Sequence, residues 1–351
     1  MDIKALLKLV IDKNASDLHL AVGCPAYLRI DGKLVEVEKT ILTPDLAKEL
    51  IIPMLTPEQK DNFLINKELD FSLAFGSSGR FRVNVFFQKG TMAAALRLLS
   101  AKIRSIEELK LPAVCRTVTT LKQGFVLVTG PTGHGKSTTL AAMIEEINRT
   151  RAEHIMTIED TIEYIYQPQK SLISQREMHG DTHSWAVALR SVLREDPNVV
   201  LVGEMRDYET IAAALTVAET GHLVLATVHT NSASQTIDRI VDVFPENQQG
   251  QIRIQLANTL AAVISQRLVP ASAGGRTAAT EVLLGSAAVK TTIREGKTHL
   301  INNIILTSAD LGMHSLEQDL ARLVNEGQVS AEVAKEYCLN PAELARLVRR
   351  N

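Results

Sequence analysis

Gly124-Phe125-Val126-Leu127-Val128-Thr129-Gly130-Pro131-Thr132-Gly133-His134-Gly135-Lys136-Ser137-Thr138-Thr139-Leu140-Ala141-Ala142-Met143 is the stretch whose reading decides the fold. An apolar, β-branched run leads into the spacing G-x-x-x-x-G-K-[ST], and a run of helix-forming residues follows it. That order predicts a phosphate-binding loop at a strand-to-helix turn. Glycines at 130, 133 and 135 let the backbone curl so that successive N–H groups and the helix N-terminus face an anion. Lys136 is expected to reach the β- and γ-phosphates of ATP, and the Ser137 hydroxyl to ligate Mg²⁺. The expected nucleotide contacts are therefore Gly130, Thr132, Gly133, His134, Gly135, Lys136, Ser137 and Thr138.

Working outward, 351 residues are long for one compact domain and predict at least two cores. Hydrophobic residues at 45% and charged residues at 22% are ordinary for a globular chain. A net charge of -2 without a long basic block argues against nucleic acid as a partner. The short cluster Arg346, Arg349, Arg350 is the one basic feature of note. The N-terminus lacks a signal-peptide pattern and no apolar run reaches membrane-spanning length, so a cytoplasmic location is expected. Cys24, Cys115 and Cys338 lie far apart and read as reduced, half-buried packing residues, not as a disulfide or zinc framework.

The N-terminal hundred residues mix helices and strands. Ile3, Leu6, Leu7, Val10 and Ile11 have helical spacing. Short strands are expected at 18–21, 26–30 and 34–37, with Asp31-Gly32 as a hairpin turn. Thr43-Pro44 and Thr56-Pro57 read as N-caps with proline opening the helix. Strands return at 68–75, 81–87 and 92–98. Residues 101–111 read as a linker. Beyond the loop, strand and helix signals alternate (154–158, 184–194, 198–202, 207–219, 223–228), which predicts a parallel sheet covered by helices. From about 286 to 351 only short helices are expected. The domain expectation is thus 1–100, a linker over 101–111, an α/β core over 112–285 and a helical subdomain over 286–351.

Hydrolysis needs a group to orient water and a way to neutralise developing charge. Val199-Val200-Leu201-Val202 ends at Gly203-Glu204, which puts Glu204 at the carboxyl end of a central strand and makes it the expected catalytic carboxylate. Glu159, Asp160 and Glu163 follow the strand ending at Ile158 and are expected to hold Mg²⁺, with Glu204, through its waters. Gly203 stands where an aspartate is usual. His229, at the end of the 223–228 strand, suits a γ-phosphate sensor, whereas His222 opens that strand at its other end. His179 and His183 lack an H-E-x-x-H context, so no zinc site is expected. Arg82 and Arg97 lie on N-terminal strands.

Together, Ala15-Ser16-Asp17-Leu18-His19-Leu20, the 130–137 loop, Met156-Thr157-Ile158-Glu159-Asp160-Thr161-Ile162-Glu163, Val202-Gly203-Glu204-Met205-Arg206-Asp207 and Gly221-His222 to His229-Thr230 resemble the secretion-type hexameric ATPases. Within that superfamily the resemblance is to the retraction ATPases of type IV pili. It implies a PAS-like N-terminal α+β domain, a RecA-like α/β P-loop core and a small C-terminal helical subdomain. It further implies a homohexameric ring with ATP and Mg²⁺ between the domains, catalytic roles for Lys136, Glu163, Glu204 and His229, and nucleotide contacts from Glu159, Asp160 and His222. Arg82 and Arg97 match the family's paired arginines, which reach the phosphates. The implied partners are an inner-membrane pilus platform protein and a paralogous retraction ATPase. The chain's length favours retraction relatives over extension or secretion ones. It departs from the family at His134, where serine is common and a side chain is expected to be tolerated, and at Thr161, where proline is usual. The family's C-terminal retraction motif is kept only in its Ile293-Arg294-Glu295 half. A pilus-assembly or secretion ATPase of the same fold, an accessory nucleotide-binding subunit and a nucleic-acid motor are the alternatives.

Overall fold

The computed structural model describes residues 2–30, 32–76, 79–99 and 102–348. Asp31 of the expected hairpin turn, Ala101 of the expected linker, and Arg349 and Arg350 of the basic cluster lie outside the described residues. The chain divides into two compact units, Met1–Lys102 with Thr161–Ile165, and Ile103–Asp160 with Tyr166–Asn351.

In the first unit six strands, β1 (Asp17–Leu20), β2 (Tyr27–Ile30), β3 (Lys33–Glu36), β4 (Glu68–Phe75), β5 (Gly79–Gln88) and β6 (Thr91–Leu99), form an antiparallel sheet of order β3-β2-β1-β6-β5-β4. Along β5 the inward residues Phe81, Val83 and Val85 are buried and alternate with Arg80, Arg82 and Asn84, the two-residue period of a sheet with one packed face. That face packs with the helix Ile3–Asp12, whose Ile3, Leu6, Leu7 and Val10 form its buried stripe, and with Phe63 of the helix Pro57–Asn66. The predicted caps form: the Thr43 hydroxyl accepts from the Leu46 N–H, and Thr56 with Gln59 makes a full capping box.

The other face of this sheet carries a row of charge. Cross-strand pairing sets Arg29, Asp17, Arg97 and Arg82 side by side on β2, β1, β6 and β5. Asp17 receives the Arg97 Nε–H at 2.9 Å and lies 3.8 Å from Arg29. Burial pushes its carboxyl up, but hydrogen bonds from Ser16 and Arg97 and the Arg97 charge outweigh this and hold it below the usual carboxylate range.

The second unit contains β7 (Gly124–Thr129), β8 (His154–Glu159), β9 (Leu172–Glu177), β10 (Val199–Val202), β11 (Leu223–Val228), β12 (Leu260–Pro270) and β13 (Arg276–Leu284), in the order β13-β12-β7-β11-β10-β8-β9. The central strands β7, β10 and β11 are buried along their whole length, as their unbroken apolar runs require. The expected parallel sheet is found with one correction: β13 runs antiparallel to β12, because a short turn, not a crossover helix, joins them. Helices Lys136–Thr150, Trp185–Val192, Tyr208–Glu219, Ala233–Asp242 and Glu246–Thr259 accompany the sheet. The C-terminal helices follow at Ala287–Arg294, Ile301–Thr307, Leu316–Asn325, Ala331–Tyr337 and Pro341–Val348. In the first of these Val289 and Ile293 join the main core, while Arg294 and Glu295 face outward.

The cysteines differ from one another more than expected. Cys115 is fully buried and its thiol is pushed up to about 12 by that burial, Cys24 is exposed, and Cys338 is half-buried. Among the described residues no helix is long and apolar enough to cross a membrane.

Candidate active site

Parallel pairing brings the carboxyl ends of β7, β11, β10 and β8 to one edge, where doubly wound sheets bind their ligands. The loop 130–135 leaves β7 there. Gly130, Gly133 and Gly135 have φ of 143°, 79° and 82°, conformations that favour glycine, and Gly135 caps the helix Lys136–Thr150. At Gly130 a second constraint applies, since an added Cβ would lie 2.2 Å from the Gln266 carbonyl oxygen of β12.

Lys136 is buried, and its Nζ donates to the carbonyl oxygens of Gly130 and Pro131 at 2.9 and 3.0 Å. It also lies 3.3 Å from His229 Nδ1. An ammonium can only donate, so Nδ1 accepts and Nε2 bears the proton. That Nε2 sits 3.2 Å from Glu204 Oε1, and the other Glu204 oxygen receives Arg206 at 2.7 Å. The result is a continuous line from Lys136 through His229 and Glu204 to Arg206. Thr132 Oγ1 flanks His229 Nδ1 at 3.4 Å. Burial raises the Glu204 carboxyl, but the Arg206 hydrogen bond and the positive charges of Arg206 and Lys136 outweigh it, so Glu204 is held below the usual carboxylate range.

The backbone fixes Glu204 firmly. Gly203 N–H donates to the Ile158 carbonyl, Met205 N–H donates to the Thr227 carbonyl, and the Thr227 hydroxyl donates to the Gly203 carbonyl at 2.5 Å. At 203, where an aspartate is usual, an added Cβ would meet Glu159 Cα at 3.2 Å and the Ile158 oxygen at 3.3 Å, so the neighbouring main chain would have to give by a few tenths of an ångström.

Glu159 ends β8 and accepts from the Thr157 hydroxyl at 2.7 Å and from Gln175 at 3.4 Å. The Arg206 guanidinium is held protonated first by its hydrogen bond to Glu204 and then by the Glu204 charge, with a smaller share from the Asp160 charge. Ser137 is exposed on the first helical turn. Among the described residues no cluster of three His, Cys, Asp or Glu side chains could hold a metal by itself. A hydroxyl beside dispersed carboxylates suits Mg²⁺ that arrives on a nucleotide and keeps its waters, so the residues fit the ion expected here.

His222 is not brought to the loop. It precedes β11, at the opposite edge of the sheet, and its Nδ1 lies 3.0 Å from the Val217 carbonyl and 3.1 Å from the Thr220 hydroxyl. Glu163, Arg82 and Arg97 belong to the first unit. There Arg82 and Arg97 are directly opposite each other on β5 and β6, a like-charged pair that costs stability unless an anion or acid offsets it. His134 is more engaged than expected: its Nδ1 accepts the Leu268 N–H at 3.1 Å and its carbonyl accepts Gln266 Nε2 at 2.8 Å. Three further residues at this edge were not expected: Arg206, Gln266, and Arg276, which donates to the Gly133 carbonyl at 3.4 Å. For Arg206 the signal was its place two residues after Glu204, across the buried Met205.

Comparison with known proteins agrees with this geometry. The family model for type II/IV secretion system protein matches residues 1–336. The type IV pilus retractation ATPase PilT of Pseudomonas aeruginosa is 46% identical over 341 residues, 97% of this chain and 99% of that one. The type IV pilus ATPase PilU of the same organism is 38% identical over 350 residues, 99% of this chain and 92% of that one. A crystal structure of the pilus retraction motor PilT with bound ADP superposes with a TM-score of 0.92 at 44% identity, covering 99% of both chains. With an N-terminal α+β unit ahead of a P-loop ATPase core, the chain belongs to the type II/IV secretion system protein family.

Proposed function

We propose that this protein is an ATP-hydrolysing motor that powers type IV pilus retraction, acting as a homohexamer on a platform protein at the cytoplasmic face of the inner membrane. The observation that carries this reading is the line Lys136, His229, Glu204, with successive contacts of 3.3 and 3.2 Å, at the edge where the phosphate loop opens. ATP draws Lys136 from the Gly130 and Pro131 carbonyls to its phosphates, while the loop N–H groups cradle them. His229 contacts both lysine and glutamate, so a change at the γ-phosphate is passed directly to the catalytic carboxylate. Glu204 is ionised at neutral pH and orients the attacking water. Ser137, Glu159, Asp160 and Glu163, with Glu204, would hold Mg²⁺ arriving on the nucleotide, and the ion would supply charge neutralisation when bound. Arg82 and Arg97 add positive charge for the transferred phosphoryl group. The names of the relatives support the direction of work, and the similarity to PilU supports a paralogous ATPase as a second partner.

Phosphate release from ATP with Mg²⁺ tests the reading. Glu204→Gln is expected to lower kcat by about a hundredfold or more while ADP still binds, and cells carrying Lys136→Ala should lose retraction. Normal turnover in Glu204→Gln, or normal retraction with Lys136→Ala, would overturn it.

A further inference from the structure

β12 is longer than the strand it pairs with. Its ladder with β7 ends at Ser265 opposite Thr129, and residues 266–270 continue past β7 alongside the phosphate loop, paired on their other side with β13. This overhang touches the loop at several points. The fully buried Gln266 bridges the His134 carbonyl, at 2.8 Å, and the Thr139 hydroxyl, at 2.7 Å. An added Cβ at Gly135 would fall 2.9 Å from Gln266 Nε2 and 3.2 Å from Leu268 Cδ1. Where the next ladder bond would lie, the Leu268 N–H donates to the imidazole of His134 at 3.1 Å. A peptide N–H can only donate, so the neutral tautomer protonated on Nε2 is imposed.

We infer that His134 is a positioning residue for nucleotide binding: its imidazole replaces the missing β7 backbone as partner of the β12 overhang and holds the phosphate loop in its binding shape. This rests on the loop being the ATP site. The carbonyl bond to Gln266 forms with any residue at 134, whereas the bond from Leu268 needs a side-chain acceptor at the distance of an imidazole Nδ1. Without it the loop is fastened at one fewer point, and the nucleotide must complete the ordering as it binds. The effect therefore falls on affinity and not on the chemical step.

The charged groups facing the ring give a second readout. Arg267 of β12, Arg276 of β13 and Lys136 of the loop helix are all cationic, and with burial as the largest cause they hold His134 below the ordinary histidine range. Protonation would turn Nδ1 from acceptor to donor and set it against the Leu268 N–H.

The experiment compares the natural protein, His134→Ala and His134→Asn in steady-state ATP hydrolysis and in calorimetric titration with Mg·ADP. Asparagine places an acceptor where Nδ1 stood and does not titrate. We expect His134→Ala to raise KM for ATP and Kd for ADP by about three- to tenfold, the worth of one hydrogen bond, with a much smaller change in kcat. His134→Asn should recover most of that loss. Relative to His134→Asn, the KM of the natural protein should climb as the pH falls below the ordinary histidine range. Unchanged KM and Kd in His134→Ala, or an equal loss in both variants when their melting curves match the natural protein, overturns the inference. Failure of the natural protein to bind either nucleotide would instead remove the ATP-site reading and the inference with it.

Discussion

Glu204 has both carboxylate oxygens engaged, one by His229 and one by Arg206, and these two partners have different consequences. Arg206→Ala removes the hydrogen bond and a cation that oppose burial, so the Glu204 carboxyl rises toward or above its ordinary range. A base that must be ionised then fails at higher pH, and the acidic limb of the kcat/KM profile should move upward in that variant. A second carboxylate behaves in the opposite sense. Glu281 of β13 is buried and accepts the Ala233 N–H at 2.6 Å. Burial, with the charges of Glu317 and Glu343, raises it to about 7 against the opposing Ala233 N–H and Arg267. Its folded value lies above its unfolded one, so the folded state keeps a proton that the unfolded chain loses. Stability therefore falls as the pH rises from about 4.5 to about 7 and is flat above that. Melting temperatures of Glu281→Gln should gain on the natural protein across that window. At this scale the sequence spoke through spacing: Lys136, Glu204 and His229 sit at strand ends that apolar runs announce. Gln266 and Arg276 gave no such notice, because they reach the loop from strands more than a hundred residues downstream.

The phosphate loop shows that its glycines are not equivalent. Gly133 has φ 79° but open space where a Cβ would go, so Gly133→Ala carries only the left-handed backbone cost, about 1–2 kcal/mol. Gly130→Ala adds to its own φ of 143° a collision at 2.2 Å with main-chain Gln266, which cannot rotate away. Thermal denaturation should show the larger loss in Gly130→Ala, with nucleotide affinity falling in the same order; equal melting temperatures would contradict the strand-to-loop contact. Elements with clear punctuation were legible, such as β7 before its glycines and the helices opened by Thr43-Pro44 and Thr56-Pro57. The passage from the helix Glu246–Thr259 into β12 at Leu260 has neither glycine nor proline to mark it. The antiparallel return of β13 follows from the short turn before it, where Gly274 and Gly275 have positive φ, and the alternation of strands and helices read from the sequence passed over it.

At the scale of the molecule, the homohexamer proposed above is expected to need assembly for full activity. Specific ATPase activity should rise with protein concentration and reach a plateau; a flat value from nanomolar to micromolar concentration would favour a self-sufficient monomer. Length and the change of texture near residue 100 are what the sequence offers toward a division of the chain, whereas nothing in it marks Thr161–Ile165 as part of the first unit, since that allocation depends on contacts made far from the segment in sequence. The three cysteines add a practical consequence. With Cys115 sealed in the core and its thiolate suppressed, maleimide chemistry at neutral pH is directed to Cys24 in one unit and Cys338 in the other. The natural sequence thus offers one labelling position in each unit, and a thiol count that goes from two per folded chain to three per denatured chain would report the opening of the core around Cys115 without a single engineered residue.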